Sequence, residues 1–456
     1  MRKILIFLNV FAFAILFTSC DDFLDLSPID TIGSNNFYRD ADEVNAGIIA
    51  IYDGLQNIPE YEFALTEMRS DNSKTRTSEG EWAQFEDMNV DPTNATVSSY
   101  WSAAYNVIFR ANTVLPYVSV VTDEHLRKQY EGEIYFIRAL MYFNLVRLFG
   151  DVPLVDKVVA PEETEYFGRK PVSEVYNMIL NDLLSAKDIL PGKGDIGEGR
   201  ATKGAAKTLL AKVYLTLGEY TKAKNILQSV IDDGEYNLES NYHDIFYAAE
   251  NSENIFGIYY ITGDAENGET FSYAFSPQGR AGGLNWPTDD ILNKVDTVND
   301  IRKNTLFYWN SSAGSSGDWA CGKFLNADNM EYSGNTWIVL RYADVYLMYC
   351  EAVLAGGTST TDGTALKYIN SIRARAGLTD LSEITSENLL MERRAEFGFE
   401  NQRLFDLIRF GVAEEVMEAY SKTPEAAFEF KPTALLLPIP QREINVYPEM
   451  TQNPGY

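Results

Sequence analysis

The chain has 456 residues, with 38 Lys and Arg against 66 Asp and Glu, for a formal charge of −28. That acidic balance excludes a nucleic-acid partner, because phosphate binding relies on clustered Lys and Arg, and it favours solubility without naming a ligand. The only cysteines are Cys20, Cys321 and Cys350, which give neither a disulfide framework nor a cysteine metal site.

Residues 1–19 read as an export signal: Arg2 and Lys3, then an apolar run from Ile4 to Phe17 broken only by Asn9. The run is shorter than the roughly 20 apolar residues that span a bilayer. Thr18-Ser19-Cys20 follows, with Phe17 where a bacterial lipobox usually has Leu, and predicts lipidation at Cys20. Several acyl chains there would hold the mature protein stably to a membrane. Residues 20–39 read as a lipid-proximal tether and 40–456 as one folded body, since no Pro/Ser-rich linker divides it.

Helical periodicity begins at Asp40, a predicted N-cap, with Val44, Ile48, Ile51 and Leu55 on one face. Residues 61–97 are rich in Ser, Thr, Asn and Asp and read as a long loop, a length usually functional. Helices are predicted over 98–118 and 122–149, the second apolar on two faces and therefore sandwiched between neighbours. From Ala206 to Ile231, Ala211, Tyr214, Gly218, Tyr220 and Ala223 fall at tetratricopeptide spacings. A looser copy runs from Tyr342 to Gly377, and 122–149 with 171–190 fits the same plan, giving about four helix pairs. Between 240 and 340, short aromatic runs alternate with Gly, Ser, Asn and Asp. The segment Ser311 to Gly317 reads as a hairpin turn between Thr305–Trp309 and Trp319. The predicted fold is thus mainly α, a tetratricopeptide-like superhelix with an inserted, irregular, partly β lobe.

Several stretches then resemble the SusD/RagB family of nutrient-binding outer-membrane lipoproteins. They are Cys20-Asp21-Asp22-Phe23-Leu24-Asp25 with Pro28; Arg138 to Leu154; Arg341 to Leu347 with Glu351-Ala352; and Glu392-Arg393-Arg394-Ala395-Glu396 through Arg409. The tail, Leu436-Leu437-Pro438-Ile439-Pro440-Gln441 and Gln452-Asn453-Pro454-Gly455-Tyr456, is the most specific. Phe410 and Tyr447 depart from the family's usual Trp and Asn. The resemblance implies four tetratricopeptide-like helix pairs and an irregular ligand-binding lobe. It also implies a SusC-type TonB-dependent transporter as partner, over which the lipoprotein sits as a lid. Asp21-Asp22 resembles a signal for the cell surface, so the expected location is the outer membrane, anchored through Cys20 and facing outwards.

The expected ligand is an oligo- or polysaccharide, met by aromatics whose planes stack on the C–H face of a sugar ring while polar neighbours bond its hydroxyls. Trp82, Trp286, Trp309 and Trp319 are the candidates, because they fall in the polar loop and the lobe, and Asp71, beside Arg69 and Asn72, is a candidate hydroxyl contact. Trp101 and Trp337 read as core, and Arg393, Arg394, Glu396, Glu400, Arg403 and Asp406 as structural ion pairs at helical spacing. A peptide nutrient is the alternative ligand, a purely protein-binding scaffold a further reading, and a glycoside hydrolase the enzyme reading. No local pattern marks a hydrolytic carboxylate pair, and His125 and His243 form no metal motif. No cofactor is expected; carboxylate-rich loops such as Asp328-Asn329 could hold a calcium ion, but no full ligand spacing is present to predict one.

Overall fold

A computed structural model describes residues 37–75, 80–248, 251–279, 282–295, 299–311, 318–325, 331–426 and 428–456. The signal, Cys20, most of the tether, the hairpin turn and Asp328-Asn329 lie outside them.

Helix Ala41–Leu55 opens on Asp40, whose carboxylate accepts the Glu43 N–H at 3.0 Å. It packs on Ala95–Val114, which packs in turn on Glu124–Phe149. The stack continues through Val172–Ile189, Lys203–Thr216, Tyr220–Asp233, Tyr342–Leu354 and Gly363–Arg375. These are four antiparallel pairs, each burying its stripe on the next, so no pair closes a core alone. Glu124–Phe149 is buried on both flanks, Ile134, Ile137 and Met141 on one and Ala139, Tyr142 and Val146 on the other, as its two apolar faces predict. Arg138 clamps it to the next helix, donating to both Asp182 oxygens at 2.8 and 2.9 Å.

The tail signature closes the end of that central helix. Leu437 N–H donates to the Leu148 carbonyl at 2.8 Å, and the Asn453 amide donates to the carbonyls of Phe149 and Leu437 at 2.9 and 2.7 Å. Tyr447 packs edge-on against Phe167.

The polar stretch 61–97 is not a loop. It folds as helix Pro59–Leu65, a 3-10 turn Glu67–Arg69, a short strand Ser73–Lys74 and helix Gly80–Glu86, with residues 63–73 buried throughout. Its polar side chains are satisfied by distant partners: Arg394 donates to Asn72 at 2.7 Å, and Arg69 to the Ala434 carbonyl at 2.5 Å. Composition reports polarity; exposure depended on partners hundreds of residues away.

The lobe leaves and rejoins the scaffold through one two-stranded antiparallel sheet, Asn254–Ile258 against Trp337–Arg341. Beneath it lies a buried ionic lattice. Arg341 reaches Glu253, Glu396 and Glu400; Arg302 reaches Asp300, Glu392 and Glu396; Lys323 reaches Glu400. Arg375 adds Glu253 and Glu396. Each charge of this lattice therefore has a counter-charge, the condition under which burial is tolerated.

Candidate functional site

The hairpin is present as strands Phe307–Asn310 and Asp318–Cys321, in the register Phe307↔Cys321, Tyr308↔Ala320, Trp309↔Trp319 and Asn310↔Asp318. Directly opposed residues share a face, so Trp309 and Trp319 meet with ring centroids 5.0 Å apart and planes at 67°. Phe307, Ala320 and Cys321 root the hairpin in the interior, while Tyr308, Trp309 and Trp319 are 44%, 47% and 38% exposed. Three large rings are thus held outward on a rigid base, although burial would stabilise each by about 1.5–3 kcal/mol.

Beside the hairpin opens a cleft of about 660 Å³, lined by Tyr308, Asn304 and Thr305 on one side and His243 and Tyr247 on another. Gln278, Ser276, Thr262, Ser333, Gly334 and Asn335 also line it. Trp309 and Trp319 do not line it; they stand further out towards the turn. The His243 ring stacks on Tyr247 at 4.4 Å and 22°. The Tyr247 hydroxyl donates to the Gly322 carbonyl at 2.7 Å and accepts the Leu325 N–H at 3.0 Å, which fixes the ring; burial pushes its phenol up, so it stays neutral. Asn335 is held by donating to Ser272 at 2.8 Å and to the Phe324 carbonyl at 3.0 Å. The described lining carries amides, hydroxyls and aromatic faces, with neither Lys, Arg, Asp nor Glu. That combination bonds hydroxyls and covers C–H surface.

The sequence candidates divide. Trp309 and Trp319 are exposed at the hairpin. Trp82 is half-buried on Gly80–Glu86, its ring stacked on Phe63 at 5.7 Å and 12°, and the structure does not bring it to the cleft. Trp286 is 1% exposed, paired with Lys74 across a short sheet. Its Gly282-Gly283 approach is a packing device: at Gly283, φ +103, a Cβ would lie 2.0 Å from the indole nitrogen. Asp71 is 2% exposed, and Arg403 donates to its two oxygens at 2.7 and 2.8 Å. Arg394 lies 3.1 Å away, and the guanidinium pair holds the carboxyl well below its usual range despite burial. Trp286 and Asp71, expected at the ligand surface, are therefore interior groups. Trp101 and Trp337 are core, each 3% exposed.

Tyr308, Tyr247, His243, Asn304, Gln278 and Asn335 were not singled out from sequence. They come from four separated segments, and the one local signal was the aromatic run Phe307-Tyr308-Trp309 beside a hairpin turn. Among the described residues, no group of three or more His, Cys, Asp and Glu gathers to hold a metal, and no helix is long and apolar enough to cross a membrane.

Comparison with known proteins fits this architecture. Residues 22–215 match the family described as starch-binding, associating with outer membrane, and residues 293–456 match the SusD family. The chain belongs to the SusD family. Among SusD-family relatives, a SusD-like protein of Bacteroides ovatus is 28% identical over 87% of this chain and 80% of its own. The starch-binding protein SusD of Bacteroides thetaiotaomicron is 24% identical over 96% of both. A solved laminarin-binding SusD-like protein superposes with a TM-score of 0.79 at 25% identity, covering 91% of this chain and 99% of that one.

Proposed function

We propose that the protein captures an extracellular glycan at the cell surface and passes it, uncleaved, to a SusC-type TonB-dependent transporter. The observation that carries this reading is the outward display of Tyr308, Trp309 and Trp319 beside a 660 Å³ cleft of amides and hydroxyls. The starch- and laminarin-binding relatives support the same ligand class. Hydrolysis of a glycosidic bond needs two carboxyl groups about 5–9.5 Å apart across the substrate, and the described cleft lining offers none. An acyl anchor on Cys20 would place the protein on the outer membrane, as the family description of its N-terminal half supports.

The test is calorimetry of residues 21–456 against oligosaccharides and peptides, with recovery of the titrant. Saturable glycan binding that weakens in Trp309→Ala, with the sugar intact, supports capture. Cleaved sugar replaces the reading with an enzyme, and binding of peptides alone replaces the ligand class. Copurification of a transporter with the lipidated protein, lost in Cys20→Ser, tests partner and anchor.

A further inference from the structure

The cleft does not end at Tyr247. Tyr247, Gly334 and Asn335 also line a second open hollow, of about 480 Å³, which runs on to Asn254, Tyr259 and Glu198. One compact ligand fills roughly 300–1,000 Å³, so either hollow alone accommodates a short oligomer and the two in series suit a longer chain.

The far hollow is built as deliberately as the near one. Tyr259 is 38% exposed, yet its ring is fixed. Its hydroxyl lies between the Asn254 amide, 3.2 Å away, and Glu198. Its carbonyl accepts from Gln56 at 2.8 Å, and the ring lies on Gly199, φ +81, where a Cβ would stand 3.3 Å off. A flat phenol held in place, flanked by amides, repeats the chemistry of the hairpin side at a distance.

Charge sets the class of chain. The described lining of the two hollows contains no Lys or Arg, and its single carboxylate is Glu198. Lys193 and Arg200 line an adjoining hollow that shares Glu198, Asn254 and Tyr259 with this one. Lys193 sits over the Tyr236 ring, and Arg200 is paired with Glu133 at 3.0 Å. A uronate or sulfate entering here would meet the Glu198 carboxylate and no Lys or Arg in the described lining, on a protein of charge −28; like-charge juxtaposition of this kind selects against a ligand. Hydroxyls meet no such opposition.

We propose that one extended, uncharged sugar chain occupies both hollows, with the Tyr259–Glu198 end acting as a second subsite that rejects anionic chains. This rests on the glycan reading above. The experiment is affinity electrophoresis of residues 21–456 in gels containing uncharged laminarin, starch or xyloglucan, or anionic polygalacturonate or alginate, followed by calorimetry with an oligosaccharide ladder of each retained polymer. The expected result is retention by an uncharged polymer only, with affinity rising by roughly tenfold or more as the oligomer outgrows the cleft. Tyr259→Ala, checked for folding by circular dichroism, should remove that rise and leave short oligomers unaffected, whereas Tyr308→Ala, at the cleft wall, should weaken both. Glu198→Gln should narrow the margin against anionic polymers. Retention by an anionic polymer, a plateau at the shortest bound oligomer, or a Tyr259→Ala variant with unchanged length dependence overturns the second subsite while sparing the glycan reading. Binding of no sugar overturns both.

Discussion

Asp71 separates a role in the fold from a role at the surface. Its carboxylate takes two hydrogen bonds from Arg403, at 2.7 and 2.8 Å, and lies 3.1 Å from Arg394, all three residues being buried. In Asp71→Asn, Arg394 keeps Asp290 at 2.5 Å, whereas Arg403 loses the only acid it hydrogen-bonds among the described residues. Removing one partner of a buried pair costs about 3–5 kcal/mol. With a urea dependence of about 3 kcal/mol/M for a large chain, the unfolding midpoint should fall by roughly 1–2 M. The loss carries a pH signature. A carboxyl held low in the folded state contributes stability above its unfolded pKa of about 3.9, and that stability is lost as pH falls. The gap between wild type and variant should therefore be full at pH 7 and only slightly narrower at pH 3.5, closing only as pH falls through the low folded-state value. Tryptophan fluorescence in urea at pH 7 and at pH 3.5 reads both effects, and glycan affinity of the folded variant should match wild type. An unchanged midpoint with abolished binding would refute the assignment of Asp71 to the interior.

Trp309→Ala and Trp319→Ala should each weaken glycan binding by roughly tenfold, about 1.4 kcal/mol, with little movement of the unfolding midpoint, since both rings stand at the surface, 47% and 38% exposed; calorimetry beside urea titration checks this, and a shifted midpoint with unchanged affinity counts against it. Burial pushes the Glu67 and Glu269 carboxyls up to about 7, so the stability they contribute as neutral acids is present below about pH 4.3 and lost towards pH 7, at up to about 3 kcal/mol each. Glu269→Gln should thus gain stability relative to wild type at pH 8 and little at pH 4, measured by urea unfolding at both; an equal difference at the two pH values sinks the claim. Cys321 and Cys350 are fully buried with thiols pushed up, so residues 21–456 should leave both unreacted with an aromatic disulfide reagent until denatured; rapid labelling of the native protein would contradict their burial.

The helical scaffold was legible because its signals are local. Alanine and tyrosine spacing marks the pair at 206–231 and, more loosely, the one at 342–377, and Asp40 caps its helix by a contact three residues away. The hairpin was legible for the same reason, two aromatic strands flanking a Gly/Ser turn. Asp71 and Trp286 read differently because burial is a tertiary fact: the partner that claims Asp71 lies 332 residues along the chain. The polar text of 61–97 described an ionic interior, which composition does not distinguish from a solvated loop. The cleft had no motif, being assembled from single residues near 243–247, 276–278, 304–308 and 333–335. Only the fold brings them together.

The ionic lattice under the lobe also limits how such a protein diversifies. Glu396 is shared by Arg302, Arg341 and Arg375, so the base of the lobe is cross-braced into the repeat stack rather than hung from it. Tyr308, Trp309 and Trp319, by contrast, are exposed rings on the hairpin strands. Specificity is therefore free to drift at the fingertips while the wrist stays locked. Changing the glycan preference calls for exchanging exposed rings and cleft-lining side chains above this lattice, whereas transplanting the whole lobe without its arginines and glutamates would strand charge in the recipient.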